Sequence, residues 1–161
     1  MDNCRDNLEI IRDLTFKLTL RDEDIFADHK LFQLLQKSTG DGYWDWDIIN
    51  NVKYMSHAYK RQIGYEPDEI ENGQVDADFH LCNPKIVGEI QENLKQHFES
   101  LGKIPFSNIM EYTHKKGHTV HVLCRGAVVE WDGDQPIRMV GTHVDITQSL
   151  EKIKSCCNGE R

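Results

Sequence analysis

Between residues 106 and 144 three apolar-rich runs follow one another, parted by two turn signals, and this stretch limits the fold more than any other. The first run is 106–113. His114-Lys115-Lys116-Gly117 turns the chain into a longer run, 118–131, and Asp132-Gly133-Asp134-Gln135-Pro136 turns it into the third, 137–144. Short turns rich in Gly, Asp and Pro join antiparallel neighbours, so the three runs predict a meander. In the middle run Val120, Val122 and Cys124 lie on one side and Leu123, Ala127 and Val129 on the other. A sheet with one wet face would alternate apolar and polar residues more cleanly. Both faces therefore ask for cover, and the flanking helices are the candidates. Gly126 predicts a bend or bulge within the middle run.

Two further strands are expected upstream. Gly42-Tyr43-Trp44-Asp45-Trp46-Asp47-Ile48 carries a strand over 43–48, with Trp44 and Trp46 on one face and Tyr43, Asp45 and Asp47 on the other. Asn50-Asn51 supplies the left-handed backbone of a tight hairpin leading into Val52-Lys53-Tyr54-Met55. Ser56 is placed to cap a short helix over 57–63, which Gly64 ends. Glu66-Pro67-Asp68-Glu69-Ile70 predicts another helical turn, and 71–81 reads as polar and irregular. Asn83-Pro84 pairs a capping side chain with proline at the first helical position. The helix it opens should run to about Leu101, with Val87, Ile90, Leu94, Phe98 and Leu101 as its apolar stripe and His97 at the stripe's edge.

The ends of the chain read as helical. Over 4–20, Ile11, Leu14 and Leu18 recur at heptad spacing, which suits either a helix packed on its own domain or a dimer contact. A second helix is expected over 24–37, carrying Phe26 and Phe32, and Ser38-Thr39-Gly40-Asp41-Gly42 breaks it. At the other end Asp145 is a candidate N-cap with Gln148 in the capping-box position, and Ile146, Leu150 and Ile153 continue as a stripe. The division is a helical lead-in over 1–39, a mixed core over 40–147 and the start of an output helix and linker over 148–161.

Charge and chemistry remove several function classes. The 161 residues carry a net charge of −8, which disfavours nucleic acid or an anionic membrane as partner. No apolar run approaches the ~20 residues of a membrane span, and the N-terminus lacks a secretory pattern. The five cysteines (Cys4, Cys82, Cys124, Cys156 and Cys157) are odd in number and irregular in spacing, which fits a reduced, cytoplasmic setting. His118, His121 and Cys124 do not share one strand face, so no metal site is expected of them. No serine or cysteine stands in a nucleophile motif, and no enzyme activity is expected.

The order of elements and several motifs together carry a family resemblance. Gly42-Tyr43-Trp44-Asp45-Trp46-Asp47 resembles the first strand of PAS domains of the bacterial sensor type. The stretch from Ser56 through Ile63-Gly64-Tyr65 to Glu69-Ile70 is similar to the segment that follows in that family. Glu111-Tyr112, Lys116-Gly117, Arg125-Gly126 and Val140-Gly141-Thr142-His143-Val144-Asp145-Ile146-Thr147 resemble its C-terminal half, ending in an Asp-Ile-Thr signature. Two positions depart from the pattern: Asn83-Pro84-Lys85-Ile86 stands where the family often has His-Pro-Asp-Asp, and His121 where many relatives have tryptophan.

The resemblance implies an α+β PAS fold: a five-stranded antiparallel sheet with helices on one face, a cavity between them, N-terminal helices and a C-terminal output helix. It implies a sensory and signal-relay module of a larger signalling protein, such as a histidine kinase of a two-component system or a cyclic-dinucleotide enzyme. Such a module would pass a ligand's or partner's state to an effector domain through its flanking helices. A closed-core dimerisation or interaction module, and a haem or flavin sensor, are the alternatives. Candidates to line the cavity for a small-molecule ligand are Trp46, Tyr59, His97, Phe106, Tyr112, Val122, Cys124 and Thr142. Asp145, Ile146 and Thr147 are the candidate relay, and Ile11, Leu14, Leu18, Phe26 and Phe32 the candidate contacts of a homodimer. No cofactor is expected. His97 as a haem ligand lacks a supporting motif, and the surroundings of Cys82 do not match the flavin-binding pattern of photoreceptor relatives.

Overall fold

The computed structural model describes residues 34–35, 37–74 and 80–157. The chain divides into two units, Met1–Thr39 and Gly40–Arg161. In the first, residues 34, 35 and 37–39 are helical. The dimer candidates Ile11, Leu14, Leu18, Phe26 and Phe32 lie outside the described residues.

The second unit runs β1 (Gly42–Asp47), β2 (Val52–Met55), α1 (His57–Gln62), β3 (Gly73–Gln74), α2 (Pro84–Glu99), β4 (Phe106–Thr113), β5 (Thr119–Asp132), β6 (Gln135–Asp145) and α3 (Thr147–Cys157). The sheet is antiparallel throughout, in the order β3-β2-β1-β6-β5-β4. The five expected strands are present, and the fold is the expected α+β arrangement. Two-residue β3 extends the edge beside β2, within a stretch too polar and irregular to announce a strand.

The local signals act through identifiable bonds. Asn51 takes φ 53° in the hairpin, the left-handed conformation that asparagine tolerates. Ser56 caps α1 by accepting from Tyr59 N at 3.2 Å, and the same oxygen accepts from Tyr43 N at 3.0 Å, which ties the helix start to β1. Asn83 caps α2 by accepting from Lys85 N at 3.1 Å, with Pro84 at the first helical position.

Helix α1 packs on β1 and α2 on β4, and the core lies between the helices and the inner face of the sheet. That face presents Trp44, Met55, Phe106, Met110, Tyr112, Val120, Val122, Cys124 and Met139, all buried. Burying one large apolar side chain of this kind stabilises by about 1.5–3 kcal/mol, and this row is what fixes the register of the strands. Trp44 lies across β6 and β5: a Cβ on Gly141 would fall 2.3 Å from its ring, and one on Gly126, 2.6 Å. Gly126 thus makes room for the indole. The register shifts of β5 fall further on, between Val128, Glu130 and Trp131, and not at the glycine. On the outer face Ile109 and Val129 are exposed.

Candidate functional site

Two places on this frame bear on function, the interior between helices and sheet and the joint from which α3 departs. The interior holds a cavity of about 40 Å³ lined by Trp44, Trp46, Lys53, Ile90, Leu94, Phe106, Met110 and Met139. Trp46 and Phe106, expected to line it, do so. Trp46 is fixed by its indole N–H, which donates to Asn51 Oδ1 at 3.3 Å, and by Phe98, whose ring centroid lies 6.2 Å away.

Tyr59, Tyr112, Val122 and Cys124 are buried on the same side of the sheet but not around that cavity. Tyr59 and Tyr112 share a hydroxyl–hydroxyl hydrogen bond of 3.0 Å, and Tyr59 stacks on His143 with 4.0 Å between ring centroids. Lys53 Nζ donates to the Tyr59 hydroxyl at 3.4 Å and lies over the Trp44 and Tyr59 rings. Thr142 corrects the expectation. It is exposed on the opposite face of β6, and its neighbour His143 points inward with 1% exposure. Neither ring nitrogen of His143 has a hydrogen-bond partner among the described residues. Burial first, and the Lys53 cation second, push its pKa well below the ordinary histidine value, so it is neutral at pH 7. Alternation from Met139, the buried anchor of β6, is the signal that finds His143: positions 139, 141 and 143 share one face.

His97 sits at 1% exposure with both ring nitrogens engaged. Val128 N–H donates to Nε2 at 3.2 Å, so Nδ1 carries the proton and donates to Ile104 O at 2.6 Å. It clasps the end of α2 and the following loop to β5, and no nitrogen lone pair is left for iron. Haem through His97 does not fit. A flavin does not fit either, because a tricyclic ring needs several times about 40 Å³. Cys82 is buried just ahead of the Asn83 cap, bridged to Tyr112.

His114 and His118 stack at 4.1 Å in the β4–β5 turn. His121 is half-buried on the outer face and Cys124 buried on the inner one. Among the described residues no three metal-ligating side chains come together.

At the joint, α3 begins at Thr147 and Leu150 N donates to Ile146 O, so Ile146 and not Asp145 takes the cap position; Asp145 stands one residue ahead of it and accepts from Thr147 N at 2.9 Å. Ile146 N donates to His121 O at 2.9 Å, and His121 N to Thr147 Oγ1, also at 2.9 Å. Ile146 and Thr147 are thus fastened to one residue of β5, while Asp145 holds Thr147 and pairs in register with Val122. His121, which the sequence marked as a departure from a pattern and set aside as a metal ligand, is the residue Ile146 and Thr147 fasten to.

An antiparallel sheet with helices packed on one face and a helix leaving its last strand defines an α+β module. The family model described as the PAS fold matches residues 52–143, more than half of the chain, and the chain belongs to that family. Solved structures agree on the fold. A sensory box histidine kinase/response regulator from Burkholderia thailandensis E264 is 23% identical, with 78% of this chain and 91% of that one covered and a TM-score of 0.66. The N-terminal domain of a diguanylate cyclase with PAS/PAC sensor from Marinobacter aquaeolei is 14% identical, with 68% and 98% covered and a TM-score of 0.58. The LOV protein of Rhodobacter sphaeroides is 12% identical, with 69% and 61% covered and a TM-score of 0.52. No curated protein sequence matches the chain. Among the described residues no helix is long and apolar enough to cross a membrane.

Proposed function

We propose that this chain is the signal-relay module of a larger signalling protein, without catalytic activity of its own, working in the cytoplasm as a homodimer and passing its state to a C-terminal effector domain through α3. The observation that carries the reading is the joint: the first residues of α3 are fastened to β5 through His121, so a change within the sheet reaches the helix directly. Asp145-Ile146-Thr147 is, on this reading, the Asp-Ile-Thr signature of bacterial sensor-type PAS domains. The structural neighbours support the reading by their own descriptions, since two belong to a histidine kinase/response regulator and a diguanylate cyclase.

The small interior favours a partner's state over a bound ligand as the signal. A cavity of about 40 Å³ has room for little more than a water molecule. A mere shift between two helix arrangements needs no ligand, only a partner that binds one arrangement more tightly. The test is a chimera in which this chain replaces the PAS module of a histidine kinase. Lengthening α3 by one residue turns the effector by about 100° and should change autophosphorylation, while seven added residues should restore it. Equal output from both insertions would sink the relay reading. A small molecule found by mass spectrometry in the denatured, native-purified protein would overturn the partner-driven version.

A further inference from the structure

Helix α2 begins and α3 begins on opposite sides of the same two strands, and one cross-strand pair stands between them. Glu111 of β4 and His121 of β5 are register partners. On the α2 side, Asn83 N donates to Glu111 O and Asn83 Nδ2 to Glu111 Oε2, both at 2.7 Å, and Thr113 N donates to Leu81 O at 2.9 Å. The lead-in to α2 is therefore stitched along the end of β4. On the α3 side, His121 gives its N–H to Thr147 Oγ1 and its carbonyl to Ile146 N. The remaining step is between side chains. Glu111 Oε1 faces His121 Nε2 at 3.8 Å, too long for a hydrogen bond but within reach of one small rotation. His121 Nδ1 is buried without a partner among the described residues.

We propose that the Glu111–His121 pair is a clamp coupling the start of α2 to the start of α3. Glu111 has two arrangements. In the one seen, Asn83 holds its carboxylate and the imidazole stands off. When the α2 start withdraws, the carboxylate is released and closes on His121, shifting the backbone to which Ile146 and Thr147 are bound. Such a two-arrangement element is what a coupling between distant helices requires. Its use in signalling rests on the relay reading above; the coupling itself belongs to this chain alone.

Amide hydrogen exchange on the full chain tests it through a mutant cycle. Asn83→Ala should change exchange at Ile146 by about fivefold, the low end of ordinary coupling, and should do nothing to it in a His121→Leu background, where the imidazole is gone but both backbone bonds remain. Glu111→Gln, which keeps an acceptor for Asn83 and drops the charge facing His121, should abolish the response as well, and it serves if His121→Leu does not fold. An unchanged Ile146 amide in Asn83→Ala overturns the clamp. So does a change of equal size in both backgrounds, or one shared by the Met139 amide at the sheet centre, which reports global opening. A chimeric kinase that ignores its module while this cycle shows coupling removes the relay reading and leaves the clamp standing.

Discussion

His143 places two ring nitrogens without partners in the middle of the core, against Tyr59 and Tyr112. Its folded pKa lies below its unfolded value near 6.5, so the unfolded chain takes up the proton first as pH falls. The sign follows: the residue leaves stability intact above about pH 6.5 and removes it below, by up to ~1.4 kcal/mol per pH unit until the folded form also protonates. Urea unfolding at pH 7.5, 6.5 and 5.5 should show that loss in the natural protein and a flatter profile in His143→Phe. At neutral pH the variant should be no less stable, since it removes buried groups that lack partners. Parallel profiles would show that His143 does not set the acid response. Gly141→Ala makes a second residue-level test. Its Cβ would fall 2.2 Å from Arg125 O as well as against the Trp44 ring, a backbone contact that cannot swing aside, so a loss of about 2–3 kcal/mol or more is expected by denaturant titration. The inward histidine and the outward Thr142 differ by one position in a strand. Sequence shows that such a run alternates, but which parity faces the helices is set by tertiary packing, here by Met139 and Trp44.

At the scale of elements, what could be read is what local chemistry alone decides. Asn51, Ser56 and Asn83-Pro84 each act within a few residues of themselves, and the turns and helix starts they announce are present. What could not be read depends on contacts from elsewhere. Gly126 looked like a bend because nothing in its neighbourhood shows that an indole more than eighty residues away will rest on it. The two residues of β3 pair only because β2 presents a free edge. Ser56 shows how a local signal can gain weight from tertiary structure. It is buried, and its oxygen satisfies the backbone N–H of Tyr43 as well as that of Tyr59. An ordinary cap is worth about 1 kcal/mol, and leaving the half-buried Tyr43 donor without its acceptor adds about 1 kcal/mol more. Ser56→Ala should therefore cost about 2 kcal/mol or more by chemical denaturation. A loss of only about 1 kcal/mol would mean that the Tyr43 bond contributes nothing.

At the scale of the molecule, the proposed relay works as a homodimer, and the sequence offers a stripe for a dimer contact in Ile11, Leu14 and Leu18. Two chains each of net charge −8 repel one another, so any dimer must be held by apolar burial working against charge. The two terms respond oppositely to salt. Screening shortens the reach of the repulsion to roughly 8–10 Å at about 0.1–0.15 M, while the apolar contact is unaffected or strengthened. A dimer joined along the stripe should therefore tighten as sodium chloride is raised, which sedimentation equilibrium at several ionic strengths would show as a falling dissociation constant. Leu18→Asp should weaken it by at least about tenfold, through a charge set into the apolar contact, and leave the denaturation midpoint of the sheet unchanged. Loosening with salt would point instead to ion pairs as the link. A single monomer mass at high micromolar concentration would remove the dimer, and with it the simplest way for α3 of one copy to move against α3 of the other.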